Sequence, residues 1–259
     1  MKCRYALSTT FEFSEPVKRH VFRIRSVPAN LPGQILIAGE FKTSSPQPLA
    51  CVRDPIYGNL TWTGRFDAAH TALSVQAQGV VETGNMQDDR LRPSAYFILP
   101  TRLTAPGDRM MALWKQVRAA GHCSRRDETL AMMHAVHEAF SYRPGATGTT
   151  TSAEQALALG FGVCQDYSHV LISLLRLSGI PALYVAGLVQ GTGVTHAWVQ
   201  AWVDERWIGL DPTHDCLAQG AYVAIARGCD FEEAALERGV FLGCASQRIQ
   251  TTAAVHPIE

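Results

Sequence analysis

A cysteine, a histidine and an aspartate occur in this 259-residue chain at positions that suit nucleophilic catalysis. Cys164 follows a glycine-rich stretch and directly precedes an apolar run that predicts a buried helix. At a helix N-terminus, the positive end of the helix dipole and the free backbone N–H groups favour a thiolate over a thiol. Because the thiolate is the nucleophilic form, the sequence predicts that Cys164 is a nucleophile. Most single cysteines are inert buried residues, so this prediction needs partners for the thiol.

His196 and Asp211 could be those partners. An imidazole can take the proton of a thiol and later give it to a leaving amine, and a carboxylate can fix the tautomer of that imidazole. His196 begins one predicted strand and Asp211 ends the next, and cross-strand neighbours lie about 5 Å apart. Taken alone, His196 is better explained as a surface or hydrogen-bonded strand histidine, and Asp211 as an ordinary turn residue. The prediction of a catalytic triad therefore depends on all three residues together.

Apolar spacing predicts the elements that must position these three residues. Helical spacing occurs over residues 108–119, 126–140, 153–159 and 164–177. Strand-like runs follow at 181–188, 197–203 and 207–210, and a polar turn joins the last two as a hairpin. Helices followed by strands are typical of an α+β fold rather than a doubly wound sheet.

The first hundred residues have a different pattern, that of a β-rich module. Alternating or β-prone runs predict strands at residues 5–13, 21–25, 34–40 and 73–78. Residues 90–106 contain three prolines and predict a connection between domains. The sequence thus predicts a β-rich domain at residues 1–100 and a second domain at 101–259 that includes a C-terminal tail.

Composition narrows the class of protein. Lys plus Arg equals Asp plus Glu at 23 each, so the charge balance indicates neither a nucleic-acid partner nor a membrane partner. The N-terminus lacks the apolar run of a signal peptide, and no membrane span is evident, so we expect a cytoplasmic protein. Seven cysteines without a C-x-x-C pair indicate neither a disulfide framework nor a zinc knuckle.

Four short motifs resemble those of the transglutaminase-like superfamily, whose bacterial branch is often described as transglutaminase-like cysteine proteases. The motifs are Gly162-Val163-Cys164-Gln165-Asp166-Tyr167-Ser168-His169, Gly179-Ile180-Pro181-Ala182, Thr195-His196-Ala197-Trp198 and Asp211-Pro212-Thr213. The resemblance covers roughly residues 105 to 215, and the first hundred residues are similar to the β-rich module that often precedes this domain. Cys229 stands where many relatives have an arginine, which leaves the role of the tail open.

The resemblance implies a papain-like core in which a helix carries the cysteine and an antiparallel sheet carries the histidine and then the aspartate. It implies Cys164 as nucleophile, His196 as general base and acid, and Asp211 as the orienting group. The backbone N–H of Cys164 is expected in the oxyanion hole. Gln165 or Tyr142 is a candidate second donor.

The predicted function is thiol-dependent hydrolysis or acyl transfer at a peptide or protein amide, through a thioester intermediate. Hydrolysis, by a peptidase or amidase, is favoured. The alternatives are a transglutaminase that joins glutamine to amines and a non-catalytic binding module on the same fold. We expect no cofactor and no metal ion, and the residues specify neither the substrate nor the oligomeric state.

Other histidines offer competing interpretations. His134 and His137 could share a helix face as metal ligands, but no third ligand is evident, so a plain helix face is preferred. Asp166 and His169 could form an alternative relay, although a structural role is favoured for both. His214 is expected near the site because it follows Asp211 closely.

Overall fold

The computed structural model describes residues 1–31, 33–84 and 91–258. The α-helices are α1 (Asp108–Ala119), α2 (Arg125–Ala139), α3 (Ala153–Leu159), α4 (Cys164–Leu177) and α5 (Phe231–Ala234). The strands are β1 (Lys2–Ile24), β2 (Gln34–Thr43), β3 (Ala50–Arg53), β4 (Leu60–Phe66), β5 (His70–Thr83), β6 (Ser141–Tyr142), β7 (Phe161–Gly162), β8 (Ala182–Leu188), β9 (Gly191–Gly193), β10 (His196–Val203), β11 (Arg206–Asp211), β12 (Cys216–Leu217), β13 (Val223–Gly228), β14 (Glu237–Leu242) and β15 (Gln247–Ile258). No helix in these ranges is long and apolar enough to cross a lipid bilayer.

Strand β1 organises a large antiparallel sheet. Its first half pairs with β5 on one side and β15 on the other, and its second half pairs with β4 and β14. The pairing of β1 with β5 shifts register between Glu12 and Val17, where the strand bends from one set of partners to the other. Strand β2 borders β5, and the short β9 borders β15.

A second antiparallel sheet has the strand order β12-β11-β10-β8-β13 among the described residues. Helix α4 packs on β8 and β10 of this sheet, and α1, α2 and α3 also contact α4. The leucines of α4, such as Leu171 and Leu174, are fully buried. At its C-terminal end Gly179 adopts φ 68°, a left-handed conformation that glycine tolerates and that ends the helix. Helix α4 is therefore held in place by the sheet and by three other helices.

The local elements of the second half confirm the sequence predictions. The observed α1, α3 and α4 have the predicted bounds, and α2 begins one residue earlier and ends one residue earlier than predicted. Strands β10 and β11 form the predicted hairpin. Its turn residues Asp204 and Glu205 have φ values of 50° and 61°, as a tight two-residue hairpin turn requires.

The long-range pairing differs from the predicted domain boundary. The sequence predicts separate strands at 5–13 and 21–25, whereas the structure has one strand, β1. The tail, predicted as part of the domain at 101–259, forms β14 and β15 and pairs with β1 in the N-terminal sheet. In β15 the buried residues Ala253 and Val255 alternate with less buried neighbours, as a strand with one face in the core requires, but no local pattern in the tail specifies β1 as the partner. Residue 90 of the predicted connection lies outside the described residues.

The position of β15 inside the sheet gives a stability prediction. Val255 is fully buried between Tyr5 and Gly191, whereas the next residue, His256, faces solvent. Val255→Asp should lower the free energy of unfolding by about 3 kcal/mol or more, because it buries an unpaired carboxylate. His256→Asp is the matched control and should cost less than about 0.5 kcal/mol. Urea unfolding of both variants measures the difference, and equal effects would contradict the observed register.

Candidate active site

The start of α4 presents Cys164 at the edge of the second sheet. Val163 is extended and Cys164 is the first helical residue, and the β7 strand just before it pairs in parallel with β6. Gly162 leaves no room for a side chain, since a Cβ atom there would lie 2.6 Å from Oδ2 of Asp166. The glycine therefore lets Asp166 fold back over the helix start.

Asp166 stabilises the start of α4 and makes no hydrogen bond to His169 among the contacts described. Its Oδ2 accepts hydrogen bonds from the Val163 backbone N–H (2.8 Å) and the Thr147 hydroxyl (2.6 Å). Burial raises the pKa of Asp166, and these two hydrogen bonds oppose the shift. His169 accepts instead from the Phe231 backbone N–H at 3.1 Å, and burial lowers its pKa to about 3. Asp166 and His169 thus have separate hydrogen-bond partners, which supports the structural role favoured for both over an Asp166–His169 relay.

His196 and Asp211 are brought together by the hairpin. His196 begins β10 and Asp211 ends β11, and the register places them diagonally across the strand pair. Nε2 of His196 lies 2.7 Å from Oδ2 of Asp211. The Asp211 side chain is 0% exposed and that of His196 is 10% exposed. The contact is therefore shielded from water, which strengthens it.

Cys164 meets the other side of the same imidazole. Burial lowers the pKa of His196, but hydrogen bonds to Asp211 and Cys164 and their negative charges outweigh it and raise the pKa to about 9. Since Nε2 faces Asp211, Nδ1 is the nitrogen that remains for the thiol. His196 thus has both Cys164 and Asp211 as partners, and the catalytic role of the three residues stays a prediction.

Asp211 is the most heavily bonded group of the site. Its Oδ2 also accepts from Nδ1 of His214 at 2.7 Å and from the Tyr222 hydroxyl at 2.8 Å, while Oδ1 accepts from the backbone N–H groups of Thr213 and His214. Burial alone raises the pKa of Asp211, but the hydrogen bonds from His196, His214 and Tyr222 outweigh burial and lower it. The carboxylate is thereby kept ionised without contact with water.

Helix α2 anchors the turn that follows Asp211. Nδ1 of His134 donates to Asp215 at 2.7 Å, and Nδ1 of His137 donates to the Pro212 carbonyl at 3.2 Å. The hydrogen bond to Asp215 and its negative charge raise the pKa of His134. These two histidines, considered as metal ligands from the sequence, instead hold the turn in place.

The candidate oxyanion groups lie around the helix start. Val163 accepts from the N–H groups of Asp166 and Tyr167, so the N–H of Cys164 precedes the first hydrogen bond of the helix. The Gln165 amide points to the Gly148 carbonyl at 3.5 Å. Tyr142 is 55% exposed, and the burial of the rest of its side chain together with the charge of Cys164 raises its pKa. The influence of that charge indicates that Tyr142 lies near the thiol.

Tyr222 is the site residue that sequence reasoning missed. It lies just before β13, eleven positions from Asp211, in a segment that lacks a helical or strand-like signal connecting it to the hairpin. Its hydroxyl also lies 3.5 Å from Sγ of Cys216, which pairs with Asp211 across β11 and β12. The pairing of β12, which is two residues long, was not legible from its sequence.

Family models match two regions of the chain. Residues 113–212 match the transglutaminase-like superfamily, and residues 4–82 match the bacterial transglutaminase-like N-terminal region. Together these regions cover more than half of the chain and contain Cys164, His196 and Asp211. The chain belongs to the transglutaminase-like superfamily.

One similar protein matches most of this chain, and two others match less than half of it. An uncharacterized protein of Mycobacterium leprae is 28% identical over 93% of this chain and 94% of its own length. A protein-glutamine gamma-glutamyltransferase of Pseudomonas aeruginosa is 31% identical over 37% of this chain, and the match covers only 17% of that protein. The match to an uncharacterized protein of Mycobacterium tuberculosis, 33% identical over 40% of this chain, covers 38% of that protein.

A solved structure shows the same fold along the whole chain. A protein from Cytophaga hutchinsonii, provisionally assigned as a cysteine protease, superposes with a TM-score of 0.78 over 100% of this chain and 92% of that chain. Its sequence identity is 21%, so the likeness concerns the fold.

The contact between His196 and Asp211 predicts a specific pKa change. In Asp211→Asn, the pKa of His196 should fall from about 9 by more than about 1 unit, because burial remains while a negative partner is lost. Imidazole signals followed by NMR over a pH titration measure this change.

Asp215→Asn is the matched control, because it removes a carboxylate from the same turn. It should lower the pKa of His134, its hydrogen-bonded partner, and leave that of His196 unchanged. A His196 that titrates identically in wild type and Asp211→Asn would contradict the described contact.

Proposed function

We propose that the protein is a thiol-dependent enzyme that cleaves an amide bond through a thioester on Cys164, and that it acts mainly as a hydrolase. The observation that carries the proposal is the position of His196 between Cys164 and a buried, ionised Asp211. A nucleophile, a base and an orienting carboxylate in this order are the parts that acyl transfer needs. Membership of the transglutaminase-like superfamily supports a cysteine-dependent hydrolase or transferase.

The first half of the reaction consumes the amide. Nδ1 of His196 takes the thiol proton, which a pKa of about 9 lets the ring hold at neutral pH, and Sγ of Cys164 then forms a bond to the carbonyl carbon. The carbon–nitrogen bond then breaks, and the leaving amine takes the proton from the imidazolium. Asp211 holds the Nε2–H throughout and stabilises the positive charge that the ring carries between the two proton transfers.

The start of α4 supports the negative charge that develops on the carbonyl oxygen. The N–H of Cys164 lies ahead of the first helical hydrogen bond, and the helix dipole adds positive potential at this end. Tyr142 lies near the thiol, exposed to solvent, and is our candidate for the second donor. Gln165 is less suited, because its amide points to Gly148.

The second half of the reaction resolves the thioester. Water attacks in the hydrolytic form, and His196 takes a proton from it before the thiol is released. A primary amine attacks in the transfer form, as the name of the Pseudomonas aeruginosa relative implies for that protein. We favour water, because it needs no binding site of its own, whereas an amine must be held in competition with water. The substrate is a peptide or protein amide.

Activity should depend on Cys164 and not on the other thiols. Cys164→Ala should reduce amide cleavage by more than about 1,000-fold, because it removes the sulfur that forms the acyl bond. Cys123→Ala is the matched control: it removes an exposed thiol from the turn between α1 and α2 and should keep wild-type activity. Mass spectrometry of peptide and amide libraries, incubated with and without a primary amine, measures the products.

The mass of each product separates the remaining alternatives. A gain of water at the cleaved carbonyl supports hydrolysis, and incorporation of the added amine supports the transglutaminase alternative. Equal behaviour of wild type and Cys164→Ala, with substrate bound but unchanged, would show the non-catalytic binding module instead.

A further inference from the structure

We propose that His196, Asp211 and His214 also form a binding site for a divalent transition-metal ion such as Zn²⁺, and that the bound ion inhibits the enzyme. Binding is independent of the proposed function, whereas inhibition rests on it. Within the described residues, these three side chains are the group of at least three potential ligands that lies close enough to hold one ion.

The three ligand atoms converge on a single point. Nε2 of His196 and Nδ1 of His214 each lie 2.7 Å from Oδ2 of Asp211, and the three atoms lie within 4.8 Å of one another. Zinc–nitrogen and zinc–oxygen bonds of about 2.0–2.2 Å place tetrahedral ligand atoms roughly 3.3 Å apart. Each imidazole nitrogen therefore needs to withdraw from the carboxylate oxygen by about half an ångström, and the two nitrogens, which lie within 4.8 Å of each other, need to approach to the tetrahedral separation.

The chemistry of the donor set also fits. Two imidazoles and one carboxylate are the ligands of a common open zinc site, in which water occupies the fourth position. The His214 side chain is 55% exposed, which gives the ion a path from solvent and gives water that fourth position. The Tyr222 hydroxyl donates to Asp211 and can keep the carboxylate oriented after the ion binds.

The site does not use the nucleophile. Cys164 meets His196 on the side of the ring opposite to Asp211, since Nε2 is the nitrogen that faces the carboxylate. A metal ion held by Nε2 is thus separated from the sulfur by the imidazole ring. This distinguishes the proposal from direct capture of the thiol, which transition metals also favour.

Occupation of the site would stop proton transfer. With the ion on Nε2, the neutral imidazole keeps its remaining proton on Nδ1, the nitrogen that must accept the proton of Cys164. The ion also takes Asp211 away from its role of fixing the opposite tautomer. Metal binding therefore takes both the general base, His196, and its orienting group, Asp211, out of the proton-transfer reaction.

The test measures metal binding in Cys164→Ala protein, in which the thiol is absent and activity is not needed. Competition with a chromophoric zinc chelator should give one bound Zn²⁺ per chain, and His214→Asn in the same background should weaken binding by at least about tenfold. His256→Gln, which removes an exposed histidine on β15, is the matched control and should bind as before. Circular dichroism checks that each variant is folded, and His214→Gln serves as a second variant.

Spectra of the Co²⁺ form and inhibition of wild type complete the test. Co²⁺ should give four- or five-coordinate visible bands without a sulfur charge-transfer band in wild type, and Zn²⁺ should inhibit amide cleavage in the range where it binds. Binding that disappears in Cys164→Ala, or that is equal in His214→Asn and the control, would overturn the proposal. Zinc binding in Cys164→Ala without any amidase activity in wild type would keep the site and reject the proposed function instead.

Discussion

The buried carboxylate of Asp211 is the constraint on which the rest of the site depends. A carboxylate with 0% exposure is stable as an anion only when donors surround it. His196, His214 and Tyr222 supply side-chain donors, and the backbone of the following turn supplies two more. The imidazole of His196 is consequently held in one orientation, with its other nitrogen turned to Cys164. The proposed catalysis and the proposed metal binding both depend on this one charge.

The two sheets are joined close to the site. Strand β9 ends three residues before His196, and it pairs with β15 of the N-terminal sheet. Strand β15 lies between β9 and β1, so the segment that leads into His196 is fixed to the β-rich part of the chain by backbone hydrogen bonds. The N-terminal sheet and the C-terminal strands therefore act as a support for the histidine as well as a separate layer of the fold.

Sequence reasoning predicted the elements and residues whose signals are local. The bounds of α4 follow from its leucines and the Gly179 stop, and the β10–β11 hairpin follows from two apolar runs around a polar turn. The pairing of β1 with β15 joins residues at opposite ends of the chain, and no local pattern specifies such a partner. Tyr222 and the contact between His134 and Asp215 were missed for the same reason, because long-range packing alone brings them to the turn.

The most direct measurement of the central claim is the rate at which iodoacetamide alkylates each cysteine at near-neutral pH. Cys164 is partly buried and Cys123 is exposed, so exposure alone would make Cys123 the faster to react. A thiol activated by His196 and Asp211 reverses that order. We expect Cys164 to react first, and its rate to fall in His196→Gln while that of Cys123 is unchanged. Labelling that follows exposure, with no effect of His196→Gln, would contradict the account.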